Sequence, residues 1–292
     1  MTRWLRAHPV AGFILLAFGV SYLVGMPLLM FGNGMIPARS SLAHGYLPRI
    51  GVTYGPAIAA LVLAHLSGGP GGVARLLRSA LPTRRDLPWA VGIIVVGMTL
   101  AAIAFLVAGV GRAELLGVVR AHGGLLVAHL VLQLVVVALG EELGWRGWLL
   151  PTLADRTTRL RATLIVAAVW GLWHWPLLLN GFVAGTMLLL GALGLSIIFT
   201  ALWAGMERRL FTVVLAHATV NAPLFFMEQV VPARGAGDGR LVTAWQLLEG
   251  TYAVAALVFV VATWRWWMGR ELHVNGRRGR EGSTATAVPS TA

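Results

Sequence analysis

Apolar stretches long enough to cross a lipid bilayer recur along almost the whole chain. A helix needs about 20 predominantly apolar residues to span the ~30 Å hydrocarbon core. Such runs occur at approximately 9–31, 50–66, 88–110, 122–150, 160–179, 182–205, 210–231 and 243–268. Because backbone polar groups in a bilayer must be hydrogen-bonded within the protein, these runs predict helices. The sequence therefore predicts an all-α fold, a polytopic membrane bundle of about eight transmembrane helices.

The composition agrees with a membrane protein. The chain has 292 residues, of which 58% are hydrophobic and only 12% charged, whereas soluble domains carry about 25% charged residues. All 23 basic residues are arginines, and the net charge is +12. Such a charge would suggest a nucleic-acid partner for a soluble protein. Here we expect the arginines to mark topology and the partner to be the lipid bilayer, with no nucleic acid. The absence of cysteine excludes disulfides and thiolate chemistry.

The arginines also predict how the chain is oriented. With the N-terminus inside, sixteen arginines fall in the inner segments and six in the outer ones, as the positive-inside rule requires. This distribution predicts that both termini lie in the cytoplasm. We expect an integral membrane protein of the bacterial plasma membrane. We expect residues 1–268 to form a single transmembrane bundle. Residues 269–292 form a basic, Ser/Thr-rich segment that is predicted to be a disordered cytoplasmic tail.

Polar side chains inside the predicted spans gather on the fourth, fifth and seventh helices. They are His129, Gln133, Glu141, Glu142, Arg146, His174, His217 and Asn221. Ionisable groups in a membrane are costly and usually mark a functional site. At 1.5 Å per residue, Glu141, His174 and His217 lie about 13, 17 and 10 Å from the cytoplasmic ends of their helices. Their similar depth predicts one shared site.

Two chemistries suit these residue types. In one, a carboxylate takes a proton from water beside a histidine, while asparagine and a second histidine donate to the developing oxyanion. In the other, Glu141, His174 and His217 hold Zn²⁺ with one position open to water. Either route hydrolyses an amide bond inside the membrane. The chain has neither the His-Glu-x-x-His motif nor the Gly-x-Ser-x-Gly motif of other hydrolases.

Three motifs carry a resemblance to a known family. They are Glu141-Glu142-x-x-x-Arg146, Trp170-x-x-x-His174 and His217-x-x-x-Asn221, in this order on successive apolar helices. In combination they resemble the CAAX-processing and bacteriocin-processing (CPBP, or Abi) protease family, with residues 122–230 as the protease-like core. Trp170 stands where the family usually has phenylalanine, which we interpret as a change at a packing position.

The resemblance implies an intramembrane endopeptidase that acts on a membrane-associated peptide or protein. It implies Glu141 as general base, His174 as its partner on water, and His217 with Asn221 as oxyanion donors. The family has been described both as metal-dependent and as a glutamate protease. We favour the mechanism without a metal or other cofactor, because Asn221 suits an oxyanion hole better than a metal site, and we keep zinc as the alternative.

Several residues also have structural interpretations. Glu142 and Arg146, included in the catalytic set, are spaced as an i, i+4 ion pair that would neutralise both charges. His129 and Gln133 are predicted to make interhelical hydrogen bonds and are left outside the site. We interpret Trp173, Trp175, Trp264, Trp266 and Trp267, which lie near span ends or packing faces, as interface anchors.

Two other functional classes remain open at this point. The first is a transporter or proton relay, which would use the same buried charges. The second is a non-catalytic immunity protein, for which the glutamate, histidine and asparagine side chains need not converge. The sequence does not identify the substrate, and prenylated proteins and bacteriocin-like peptides are both compatible with it.

Overall fold

All the regular secondary structure that the computed structural model describes is helical. The described residues are 2–27, 46, 49–176, 182–231 and 239–269, without the side chains of 182–184 and 186–188. The α-helices are α1 (Thr2–Ala7), α2 (Pro9–Gly19), α3 (Ile50–Thr53), α4 (Gly55–Ser79), α5 (Leu87–Val107), α6 (Arg112–Leu132), α7 (Leu139–Gly144), α8 (Leu150–Ala154), α9 (Arg159–Trp173), α10 (Phe182–Gly205), α11 (Phe211–Val230), α12 (Arg240–Ala262) and α13 (Trp264–Met268). Three π-helical segments, Val20–Gly25, Gln133–Ala138 and Trp145–Leu149, and a 3-10 turn at Arg84–Asp86 complete the set.

The prediction of an all-α, polytopic membrane bundle is confirmed. Each of the eight predicted runs coincides with helix in the described residues. Four helical stretches are long and apolar enough to cross a membrane, namely 50–107, 112–154, 211–230 and 240–262. The first contains both α4 and α5, with a turn between them, and shorter apolar helices lie at Pro9–Gly25 and Leu189–Gly205. The number of crossings and their orientation stay predictions. The predicted tail, apart from residue 269, lies outside the described residues.

The predicted fourth span is a continuous helical stretch with two irregularities. The π-helical segments Gln133–Ala138 and Trp145–Leu149 lie on either side of α7, which carries Glu141 and Glu142. A π-helical turn holds an extra residue, so it shifts the direction of every side chain that follows. The regular spacing assumed from the sequence therefore does not hold along this helix.

Glycines fix the position of α7 against its neighbours. A Cβ atom on Gly140 would lie 2.7 Å from the carbonyl oxygen of Thr53, and one on Gly144 would overlap Pro56. Because a side chain at either position would push the backbones apart, only glycine allows this close approach. The two glycines thereby hold α7, with its glutamate pair, against α3 and the first turn of α4.

Candidate active site

One cavity of about 350 Å³ collects four of the six predicted catalytic residues. Glu141, His174, His217 and Asn221 all lie on its wall. The four side chains come from α7, the C-terminal end of α9 and one face of α11. Much of the remaining wall is apolar or aromatic, including Val52, Val137, Ala192, Leu195, Leu224 and Phe225. Helices far apart in the sequence therefore bring one carboxylate, two imidazoles and one amide to a largely apolar cavity.

Glu141 is held by an indole nitrogen. Its side chain is buried, and its Oε2 accepts a hydrogen bond of 2.8 Å from Nε1 of Trp170. The Trp170 ring also contacts both histidines, with ring centroids 5.5 Å from His174 and 5.6 Å from His217. Trp170 is thus the side chain that links the three predicted catalytic residues to one another.

His174 follows directly after the last turn of α9. Its Nδ1 lies 2.9 Å from the carbonyl oxygen of Trp170, four residues earlier. A carbonyl oxygen can only accept, so Nδ1 carries the proton, and in the neutral ring Nε2 keeps its lone pair. The ring is half-buried and packs edge-on against Trp173. The hydrogen bond therefore leaves Nε2 as the nitrogen that is able to accept a proton.

Glu142 and Arg146 form a buried network behind the cavity. Nη1 of Arg146 donates to both carboxylate oxygens of Glu142, at 2.9 and 3.0 Å, and Nη2 donates to Ser196 at 2.9 Å. Nδ1 of His217 lies 2.8 Å from Oε1 of the same carboxylate. Both charged side chains are completely buried, and neither lines the cavity. The network therefore positions His217, as the structural interpretation of the ion pair expects.

The guanidinium of Arg146 is also enclosed by aromatic rings. Its central carbon lies 4.5 Å from the ring centre of Trp170 and 5.0 Å from that of Phe199. A cation over an aromatic face is attracted by the negative centre of the ring. This contact compensates part of the cost of burying the arginine in the bundle.

Two polar residues of the fourth span make the predicted interhelical contacts. His129 lies between the hydroxyl of Tyr46 and Oε1 of Gln229, at 2.8 Å from each. Gln133 accepts a hydrogen bond of 3.3 Å from Nδ2 of Asn221. Gln133, left outside the site by sequence reasoning, therefore orients one of the residues inside it.

The prediction that polar side chains gather on three helices only was incomplete. Glu249 lies on α12, is 6% exposed, and lines the same cavity as Glu141. The signal was present in the sequence as one acidic residue within the apolar run 243–268. The run remains strongly hydrophobic around it, so hydropathy alone does not single it out.

Two tryptophans interpreted as interface anchors are core residues instead. Trp173 is buried, donates to Oγ of Ser21 at 3.0 Å, and accepts a hydrogen bond from Tyr22 at its carbonyl. Trp267 is completely buried. Trp175 and Trp264 are exposed, as anchors would be. Burial of the first two depends on contacts with distant helices, which a local pattern does not contain.

The positions of Glu141, His174 and His217 bear on the zinc alternative. Within the described part of the chain, no group of three His, Cys, Asp or Glu residues stands close enough together to hold a metal ion. Glu141 and His217 are each engaged by other protein groups, Trp170 and Glu142. The described donors therefore do not form a Glu-His-His zinc site, and the mechanism without a metal stays a prediction.

These features define a class of protein, a polytopic helical membrane protein with a buried glutamate and histidine site. Comparison with known proteins supports a particular family. The model described as type II CAAX prenyl endopeptidase Rce1-like matches residues 123–223. The chain is also 40% identical over 45 residues to CAAX prenyl protease 2 of Methanococcus maripaludis, a match over 15% of this chain and 17% of that protein. Through these matches and the three motifs, the chain is similar to the CAAX-processing and bacteriocin-processing protease family.

Proposed function

We propose that this protein is an intramembrane endopeptidase that hydrolyses a peptide bond of a membrane-associated peptide or protein. The observation that carries the proposal is the position of Glu141, which shares one largely apolar cavity with His174, His217 and Asn221. A non-catalytic immunity protein would not need these four side chains to converge. The match to a family model of CAAX endopeptidases also favours hydrolysis over transport.

In the proposed first step, Glu141 removes a proton from a water molecule. Nε2 of His174 accepts a hydrogen bond from the same water, because Nδ1 is committed to the carbonyl of Trp170. The water oxygen forms a bond to the carbonyl carbon of the substrate, and the π electrons of the carbonyl move to its oxygen. The oxyanion then re-forms the carbonyl as the carbon–nitrogen bond breaks, and Glu141 gives the proton to the leaving amine.

The oxyanion is stabilised by Asn221 and His217 in this proposal. Nδ2 of Asn221 has one proton directed to Gln133 and a second available for the substrate. His217 donates through Nε2 while Nδ1 donates to Glu142, which requires the doubly protonated ring. Glu142, held by Arg146, supplies the negative charge that favours this form. Donors fixed in advance in a water-poor cavity need little reorganisation during the reaction.

The proposal is tested by comparing membrane proteomes. Cells that produce the full-length protein, or its Glu141→Ala variant, are compared for peptide termini that appear only with the unsubstituted protein. Glu207→Gln is the matched control, because Glu207 is a largely exposed carboxylate in the α10–α11 connection. We expect cleavage products with the unsubstituted protein and with Glu207→Gln, and none with Glu141→Ala. Identical products from the Glu141→Ala protein would overturn the proposal.

A further inference from the structure

Glu249 is a buried acidic group that the proposed mechanism does not use. It lies on α12, and its side chain lines the same cavity as Glu141. Nε1 of Trp245 donates to its Oε1 at 2.9 Å. Among the described residues, its Oε2 is buried and has no hydrogen-bond partner. One half of the carboxylate is therefore oriented by the protein, and the other half lacks a partner.

The neighbouring helix is shaped to admit this carboxylate. Gly191 of α10 faces Glu249, and a Cβ atom at this position would overlap Oε2. Ala192 and Leu195, further along α10, line the cavity beside it. Only glycine leaves room for the carboxylate between the two helices, and Trp245 fixes its orientation from the other side. Gly191 and Trp245 together fix the position of the carboxylate at the cavity wall.

Within the described residues, Glu249 is not paired with a cation. Glu142, which is also buried and does not activate the water, is neutralised by Arg146. Glu249 forms no salt bridge with any described residue. Arg49, a cation on the same cavity wall, lies over the ring of Phe225 at 5.1 Å. A buried carboxylate is costly unless a cation or hydrogen-bond donor compensates it. A cationic group of a ligand bound in the cavity would supply this compensation.

We propose that Glu249 is a specificity-determining residue that binds a cationic side chain of the substrate, lysine or arginine, close to the bond that is cleaved. The inference rests on the proposed function, because it takes the cavity as the substrate site. It adds a substrate class, namely membrane-associated peptides with a basic residue at one fixed position. The largely apolar wall around Glu249 favours the remainder of such a peptide being hydrophobic.

Binding can be measured separately from cleavage. The probes are synthetic alanine- and leucine-rich peptides in which one lysine is moved through successive positions. A matched set carries norleucine, which lacks only the amino group. Binding is measured with full-length protein in lipid nanodiscs, and this protein carries Glu141→Ala so that the bound peptide is not cleaved. Glu249→Gln is then added, which keeps the shape of the side chain, and Glu207→Gln serves as the control for loss of a carboxylate.

We expect lysine at one position to tighten binding by about 10- to 100-fold over norleucine, as a charge-assisted hydrogen bond does. Glu249→Gln should abolish this preference, and Glu207→Gln should keep it. Gly191→Ala, which displaces the carboxylate, should also weaken it. The inference is overturned if no position prefers lysine, or if the preference survives Glu249→Gln. A lysine preference in binding without cleavage by the unsubstituted protein would support the cation site and reject the proposed hydrolysis.

Discussion

Nε1 of Trp170 lies 2.8 Å from Oε2 of Glu141, so a tryptophan on α9 holds the carboxylate of α7. From the sequence motifs, Trp170 was interpreted as a packing position at which phenylalanine is usual in the family. The structure corrects this interpretation, because phenylalanine has no N–H group to donate. In this chain Trp170, one helical turn before His174, also orients Glu141, the proposed general base.

Trp170→Phe should therefore lower turnover while the fold is kept. Loss of a hydrogen bond to a charged group costs about 1.5–3 kcal/mol, which corresponds to a fall in kcat of roughly 10- to 100-fold. KM should change less, because the bond positions the base and does not contact the substrate. Trp175→Phe, at an exposed position nearby, is the control. Unchanged kcat in Trp170→Phe would show that the indole is not needed to orient Glu141.

Asn221→Ala should reduce kcat by about 10²–10³, the effect of removing one oxyanion donor. The change in KM should be smaller, because the interaction strengthens as charge develops on the carbonyl oxygen. Thr219→Ala is a suitable control on the same helix, since its hydroxyl bonds to the carbonyl of Leu215 and does not line the site cavity. Steady-state kinetics of both variants on one peptide measure the difference. A loss confined to KM would contradict an oxyanion role for Asn221.

The metal-free mechanism predicts that purified protein retains its activity after chelation and dialysis. The described donors include no trio able to hold a metal ion, and Glu141 with His174 is proposed to activate water unaided. Cleavage and bound zinc should be measured on the same stripped sample. Loss of activity that stoichiometric zinc restores, with loss of zinc in Glu141→Ala, would instead establish the zinc mechanism.

Glu142→Gln should destabilise the fold strongly. It leaves the guanidinium of Arg146 completely buried without its counter-charge, and breaking a buried ion pair in this way costs about 3–5 kcal/mol. The midpoint of thermal unfolding in detergent should fall accordingly. The exposed pair of Arg85 and Glu207, with 84% and 82% of the side chains exposed, provides the comparison. Glu207→Gln should have little effect, and an equal effect of both variants would argue against a structural role for the buried pair.

Asp86 should make the stability of the protein depend on pH. It lies in the connection between α4 and α5, outside both helices, and is buried. Burial acts to raise the pKa of Asp86, but hydrogen bonds from Thr83 and the guanidinium of Arg209 hold this pKa below its ordinary value. Because the pKa is depressed in the folded state, the ionised carboxylate stabilises the fold above about pH 4, and this stability is lost as the pH falls through the folded pKa.

Asp86→Asn should accordingly be about 1–3 kcal/mol less stable than the unsubstituted protein at pH 7. The difference should shrink as the pH is lowered below about 4 and vanish below the folded pKa, where both states of the unsubstituted protein bind the proton. Thermal unfolding at a series of pH values measures this. Asp155→Asn, which alters a partly exposed ion pair with Arg208, is the control. A difference independent of pH would show that the charge of Asp86 does not contribute.

The sequence by itself determined the fold class and the candidate site residues. Apolar runs of membrane length require helices, since no other open structure satisfies the backbone within a bilayer. Glu141, His174, His217 and Asn221 could be selected because polar groups are rare in such runs and their depths agree. The pair of Glu142 and Arg146 was also foreseeable, because both residues lie on one helix at a fixed spacing.

Only the tertiary structure decided which distant groups contact these residues. The bond from Trp170 to Glu141, the bond from His217 to Glu142 and the position of Glu249 on the shared cavity wall each join different helices. Hydropathy predicts that a segment is a helix, but it does not determine the neighbouring helix or the direction in which a side chain points. The π-helical segments beside α7 change those directions locally. The close approach of helices at Gly140 and Gly191 depends on packing between backbones that are remote in sequence, so only the assembled bundle fixes the geometry of the site.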